Sequence, residues 1–194
     1  MKELLNRRPI IIVLAGPNGA GKSSFYRAYL RESGLRFMNA DILARELHID
    51  AYRAAQLASE VRKHLIEQRE SFIFETVFSD PVGDKLEFMK QVESLGYTVV
   101  LLFIGIGSPS VSDERVAMRV SQGGHDVPAN KLVERYPRVM RNLQRALTEL
   151  ANVWVYDNSD LRNPYRLVAK REAGAEIELH EPVPQWLRRL LPAI

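Results

Sequence analysis

The 194-residue sequence contains no cysteine. That excludes disulfides, thiolate metal centres and a cysteine nucleophile, and it fits a reducing cytoplasm. Neither sign of charge dominates: 27 Lys and Arg against 24 Asp and Glu give a formal charge of +3. So mild a balance suits anionic small ligands. It lacks the concentrated basic stripe of a nucleic-acid binder, so nucleic acid is not an expected partner. Long apolar runs are missing as well, and no stretch approaches the ~20 residues of a membrane-spanning helix, so no membrane partner is expected. The opening MKELLNRRPIIIVLAG is basic and then apolar, like a secretion signal. Its apolar part is short and runs straight into a glycine loop, so it is expected to be an internal strand.

What is present is an ordinary globular composition, 46% apolar and 26% charged, with strand-like and helix-like segments in alternation. Pro9 to Ala15 is an apolar run without a period, as expected of a strand buried on both faces. Ser23 to Glu32 reads as a helix stopped by Ser33-Gly34. Leu35 to Asn39 and Ser71 to Phe74 read as short strands, Tyr97 to Ile104 as the longest, and Asn152 to Tyr156 as the fifth. Helices are expected at Ala51 to Glu70, with an apolar stripe through Ala54, Leu57, Ala58, Val61 and Leu65, and at Asp80 to Ser94. Two more are expected at Asp113 to Val120 and Asn130 to Leu150, separated by the loop SQGGHDVPA. Such alternation predicts an α/β fold. Its mostly parallel, five-stranded central sheet carries helices on both faces. Residues 1–194 read as one domain, with a helical lid over about 110–141 and an extension over about 160–194 that holds a C-terminal β-hairpin.

Gly16-Pro17-Asn18-Gly19-Ala20-Gly21-Lys22-Ser23 matches G-x-x-x-x-G-K-[ST] in full, between an apolar strand and a helix. Glycines let successive backbone N–H groups converge on one concavity, and the helix adds its unpaired N-terminal donors. Lys22 is then expected to reach the β- and γ-phosphates of ATP and the Ser23 hydroxyl to bind Mg²⁺, with Ser24 completing the nucleotide contacts. A glycine turn that merely precedes a helix is the structural alternative. The loop does not identify the phosphate acceptor. A guanine-reading N-K-x-D segment is absent, and the longest later strand ends in glycines rather than in a water-activating acid.

Acids stand instead at the ends of the shorter strands. In a parallel sheet all carboxyl ends open on the crevice that holds the phosphate loop. Asp41, in Asn39-Ala40-Asp41, is a candidate base for a substrate hydroxyl; the alternative is that it only caps the helix after it. Glu75, in Phe72-Ile73-Phe74-Glu75-Thr76, is a candidate for holding Mg²⁺ through water or gripping substrate, with Thr76 as a further polar contact to substrate, against an alternative of helix or turn capping.

Arg115 and Arg119 lie one helical turn apart, and Arg135, Arg138 and Arg141 come after the glycine loop. Guanidinium forks match the oxygens of a phosphoryl group in transfer, and two arginine helices joined by a glycine loop resemble a lid. Arg119 and Arg135 are the preferred clamps, with solvated helix faces as the alternative; His125 is a candidate substrate contact. Asn158, in Asp157-Asn158-Ser159, is expected near the adenine, unless it serves only a turn. These readings favour a small-molecule kinase. A nucleoside, nucleotide or RNA-end kinase and a non-catalytic nucleotide switch are the alternatives.

Taken in order, GPNGAGKS, the triplet NAD at 39–41, FIFETVFS at 72–79, ERVAMRVSQGGHDVP at 114–128, RYPRVMRNL at 135–143 and VYDNS at 155–159 resemble the zeta toxin family of P-loop kinases, relatives of chloramphenicol phosphotransferase-like enzymes. The resemblance implies ATP and Mg²⁺ as cofactors, Lys22 and Ser23 on the phosphates and metal, and Asp41 as base. It further implies Glu75 in the substrate pocket and Arg119 and Arg135 on the transferring phosphate. A UDP-activated amino sugar as acceptor and an antitoxin protein as partner are also implied by it.

Overall fold

The computed structural model describes residues 6–121 and 128–191, less the side chains of 119–121. Strand β1 (Ile10–Ala15) is IIIVLA, and every one of its side chains is fully buried. Successive side chains of a strand point to opposite faces, so an unbroken apolar run demands cover on both. Ile11 and Val13 pack in one cluster with Leu65, Leu86, Met89, Val139 and Leu143. Ile10, Ile12 and Leu14 pack in the other with Phe25 and Leu30.

The remaining strands are β2 (Arg36–Met38), β3 (Phe72–Thr76), β4 (Thr98–Gly105), β5 (Val153–Asp157), β6 (Arg166–Arg171) and β7 (Glu178–Leu179). Their order across the sheet is β2-β3-β1-β4-β5-β6-β7. The pairs from β2 through β5 are parallel, while β5–β6 and β6–β7 are antiparallel. The helices are α1 (Lys22–Phe25), α2 (Ala40–Leu47), α3 (Ala51–Glu67), α4 (Asp84–Ser94), α5 (Pro109–Ser121), α6 (Ala129–Glu149) and α7 (Gln185–Arg188). This is the mostly parallel P-loop NTPase arrangement expected from the sequence. The C-terminal hairpin does not stand apart. It continues the sheet beyond β5 as two further strands. No helix among the described residues is long and apolar enough to cross a membrane.

Three local departures have physical causes. After Phe25 the first helix widens into a π-helical turn, Tyr26–Leu30, and closes as a 3₁₀ turn at Arg31–Ser33. That widening accompanies two adjacent aromatics with different partners: Phe25 lies against Tyr156 and Tyr165, while Tyr26 stacks on Phe37 at 3.7 Å. Helix α4 begins at Asp84 rather than Asp80, because Gly83 takes the left-handed conformation (φ 87°) just before it. On α3 the predicted stripe holds at Ala54, Ala58 and Leu65, but Val61 is exposed.

The loop after β3 is held from α6. Buried Asn142 donates from Nδ2 to the carbonyls of Phe78 and Asp80, both at 3.0 Å. Replacing it by an apolar residue strands two carbonyls in the interior. Asn142→Leu is expected to lower unfolding stability by about 1–3 kcal/mol in a denaturant titration. Unchanged stability would show that the loop is held by other means.

Candidate active site

The loop between β1 and α1 is shaped by what presses against it. A Cβ at Gly16 (φ 142°) would stand 2.1 Å from the Ile104 carbonyl oxygen of β4. One at Gly21 (φ 90°) would meet Asn158 Nδ2 at 2.7 Å and the Tyr165 hydroxyl at 2.8 Å. Glycine is therefore required at both positions by contact as well as by φ. Asn158 Nδ2 donates to the Ala20 carbonyl (2.8 Å), Tyr165 to Gly21 O (3.0 Å), and Ser112 Oγ to Asn18 O (2.5 Å). Pro17 closes the turn by accepting from Ala20 N (3.3 Å). Lys22 is buried, and its ammonium donates to Gly16 O (2.9 Å) and Pro17 O (3.0 Å). Ser24 is exposed, and its Oγ accepts from Arg27 (3.2 Å).

β3 lies beside β1 in parallel register, with Leu14 opposite Glu75 and Ala15 opposite Thr76. That pairing delivers an acid to the point where the loop begins. Ser23 Oγ donates to Glu75 Oε2 at 3.0 Å, and Lys22 Nζ stands 3.9 Å from Oε1. Thr76 turns its hydroxyl inward to accept from Phe78 N (3.1 Å).

At the end of β2 the capping alternative for Asp41 resolves. Asn39 is the N-cap of α2, its Oδ1 accepting from Asp41 N (2.8 Å) and Ile42 N (3.2 Å). The Asp41 carboxylate is not needed for the cap, and it lines a cleft of about 330 Å³ with Glu75, Thr76, Arg62, Lys85 and Arg135. Arg135 reaches that cleft from α6, which Tyr136 moors by donating to Ile106 O at 2.8 Å. Burial pushes the Tyr136 phenol up to about 12, so it remains a donor at any physiological pH.

The other expected arginines and polar contacts have different placements. Arg115 is spent on the chain itself, donating to the carbonyls of Asn158 (2.7 Å) and Ser159 (3.0 Å). Arg138 is paired with Glu134 on its own helix. The Arg119 side chain and all of His125 lie outside the described residues. Asn158 is 3% exposed and supports the loop from beneath. Its neighbour Asp157 accepts from Trp186 Nε1 (3.0 Å) and Ser159 Oγ (2.5 Å).

Two contributors carry no signal in the sequence. Trp186 sits far along the chain in an unremarkable PQW, and nothing local ties it to Asp157. Arg62 lies on what reads as the polar side of α3, yet its guanidinium sits over the Phe74 ring at 5.0 Å. Burial there pulls its pKa down. Among the described residues no group of three or more acidic or histidine side chains is able to hold a metal alone. The oxygens of Ser23 and Glu75 do suit Mg²⁺, which typically takes one or two protein ligands and completes its shell with phosphate and water.

The zeta toxin family model matches residues 44–166, from within α2 to the start of β6. Solved structures extend the likeness to the phosphate loop. The AvrRxo1-ORF1:AvrRxo1-ORF2 complex with sulphate ions superposes with a TM-score of 0.75 over 97% of this chain and 66% of that one, at 16% identity. The same complex with ATP gives 0.72 over 92% and 63%, also at 16% identity. The PezAT chromosomal toxin–antitoxin system of Streptococcus pneumoniae gives 0.60 over 77% and 69%, at 19% identity. The chain thus spans about two thirds of the length of the chains it superposes on. No curated protein sequence matches it. Identities this low speak for the fold alone, but the family model covers more than half of the chain, including the strand that carries Glu75 and the loop that carries Asn158: the chain belongs to the zeta toxin family.

Proposed function

We propose that this protein is an ATP- and Mg²⁺-dependent kinase that moves the γ-phosphate of ATP to a hydroxyl of a small polar acceptor. One observation carries the reading: the Asp41 carboxylate, without a partner among the described residues, shares a cleft with Glu75, which accepts a hydrogen bond from Ser23 of the phosphate loop. A base, a metal-side acid and a phosphate cradle are the parts a phosphoryl transfer needs in one place. That the AvrRxo1 complex has been solved with ATP supports the choice of nucleotide.

In this mechanism the loop N–H groups and Lys22 hold the phosphates, Lys22 exchanging its loop carbonyls for phosphate oxygens. Residues 16–24 bind the nucleotide, and Asn158 keeps the loop in shape from below. Ser23 and Glu75 are the residues that would hold Mg²⁺, which when bound would supply positive charge beside the phosphates. Asp41 accepts the proton of the acceptor hydroxyl as its oxygen bonds to the γ-phosphorus and the bond to the β–γ bridging oxygen breaks, leaving ADP. Glu75, Thr76 and His125 orient the acceptor. Arg119 and Arg135 close with the α5–α6 lid and spread the charge of the group in transfer. A UDP-activated amino sugar is the acceptor suggested by the family, and an antitoxin-like partner is suggested by the PezAT system. The absence of cysteine fits action in the cytoplasm.

Two substitutions test the reading in the full chain. Lys22→Ala is expected to cut acceptor-dependent ADP production by about 10²-fold or more. It is also expected to cost about 1–3 kcal/mol of unfolding stability, since the buried ammonium donates to two loop carbonyls. Screening nucleotide sugars, nucleosides and RNA ends as acceptors supplies the assay. Activity equal to wild type would dismiss the phosphate role. Asp41→Asn is expected to leave stability within a few tenths of a kcal/mol, since Asn39 does the capping, while turnover falls by about 10²–10⁴-fold. Near-normal turnover in a folded Asp41→Asn protein would rule Asp41 out as the base.

A further inference from the structure

The antiparallel end of the sheet delivers to the phosphate loop a side chain that the motif itself does not contain. β6 runs back along β5, and a bulge between Val155 and Tyr156 shifts their register so that Arg166 stands opposite Asp157. The next residues outward, Asn158 and Tyr165, leave the end of this strand pair together. Both meet Gly21, where a Cβ would touch Asn158 Nδ2 at 2.7 Å and the Tyr165 hydroxyl at 2.8 Å. They hold successive carbonyls of the loop: Asn158 Nδ2 donates to Ala20 O at 2.8 Å and the Tyr165 hydroxyl to Gly21 O at 3.0 Å.

A peptide unit is planar and trans, so its N–H points the opposite way from its carbonyl. Fixing Gly21 O therefore fixes the direction of the Lys22 N–H, which belongs to the same unit. The helix does little of this alone. Gly21 O also accepts from Phe25 N at 2.9 Å, but regular α-helix ends at Phe25, where the chain widens into the π-helical turn Tyr26–Leu30. A single turn holds its first peptide weakly, because helical bonds are cooperative. Tyr165 adds the restraint from outside, its ring braced edge-on by Phe25 at 5.2 Å and Tyr29 at 5.8 Å.

Tyr165 also keeps a left-handed backbone conformation, φ 56°, which a bulky residue adopts only at a cost. Glycine would make the same turn without strain. Packing on Phe25 and Tyr29 needs only the ring, and phenylalanine would satisfy it. Neither the turn nor the packing accounts for the hydroxyl. Burial raises the pKa of that hydroxyl, so it keeps its proton and donates.

We infer that Tyr165 is a positioning residue of the phosphate loop: by holding the Gly21 carbonyl it aims the Lys22 N–H at an oxygen of a bound phosphate. The inference rests on the kinase reading only in taking ADP as the ligand.

The test is a titration of the isotope-labelled full-length protein with ADP and Mg²⁺, followed by amide NMR. The Lys22 and Gly19 N–H signals are compared, because Gly19 shares its peptide with Asn18, whose carbonyl is held by Ser112 instead. In wild type both signals are expected to shift on binding, as N–H groups that take up a phosphate do. Tyr165→Phe removes only the hydroxyl. At saturating ADP it is expected to reduce the Lys22 shift by about half or more, leave the Gly19 shift unchanged, and weaken binding about three-fold or more. A merely structural role would move both signals or neither. Equal Lys22 shifts in wild type and Tyr165→Phe overturn the inference, as does an equal loss at Lys22 and Gly19; bound ADP then leaves the kinase reading standing. Should Tyr165→Phe not fold, Tyr165→Met, which also lacks the hydroxyl, is read by the same criteria. Wild type that binds inorganic pyrophosphate but not ADP sinks the kinase reading alone, and the same comparison is made with pyrophosphate. Binding of neither overturns both.

Discussion

The bond from the buried Asn158 amide to the Ala20 carbonyl holds the centre of the phosphate loop against the sheet. A glycine-rich loop is open to many conformations, and it becomes a binding cradle only when its backbone groups are held in one of them. Here that restraint comes from the end of β5 and the turn beyond it. Asn158 N donates to Gly105 O at the end of β4, and Arg115 grips the carbonyls of residues 158 and 159. Trp186, from the C-terminal helix, anchors the adjoining Asp157 and lies so close to Gly105 that a Cβ there would meet its ring at 2.3 Å. Segments spread over most of the chain therefore converge beneath eight residues of loop.

The parallel register supplies the rest of the site. β3 and β4 flank β1, so the chain leaving β3 must pass the loop that leaves β1. Glu75 reaches Ser23 because it is paired with Leu14, and a one-residue slip would turn it to the other face. β2 lies one strand further out, which sets Asp41 back from the loop and leaves room between them. The Asp41 carboxylate, the proposed base, is thus set off from the phosphate loop by the width of a strand.

Motif and fold were legible because they depend on local physics. The match at 16–23 is decided by which residues can converge backbone N–H groups, and the apolar runs at β1 and β4 by the need for cover on both faces. The acids at 41 and 75 were found because parallel strands present their ends together. Other features were not decided locally. Whether Asp41 or Asn39 caps α2 turns on one residue of helix phase, and both are good caps. Arg62 on α3 looks like any solvated helix residue until Phe74 and Phe88 are brought under it. Arg115 and Arg135 are alike in sequence, yet one is spent on backbone carbonyls and the other lines the cleft.

By itself the sequence determined the class of this protein: a phosphate loop at the head of an α/β sheet, acids at the strand ends, and the ordered motifs of its family. These arise from spacing along the chain, where backbone geometry and hydrophobic periodicity act over a few residues. Tertiary structure alone decided which polar groups remain free. A side chain's role depends on whether a carbonyl or carboxylate from a distant segment satisfies it, and residues 43 and 138 positions apart met here for that purpose. Buried polar groups must find partners wherever the fold supplies them, and the groups left without partners are the ones available to a ligand.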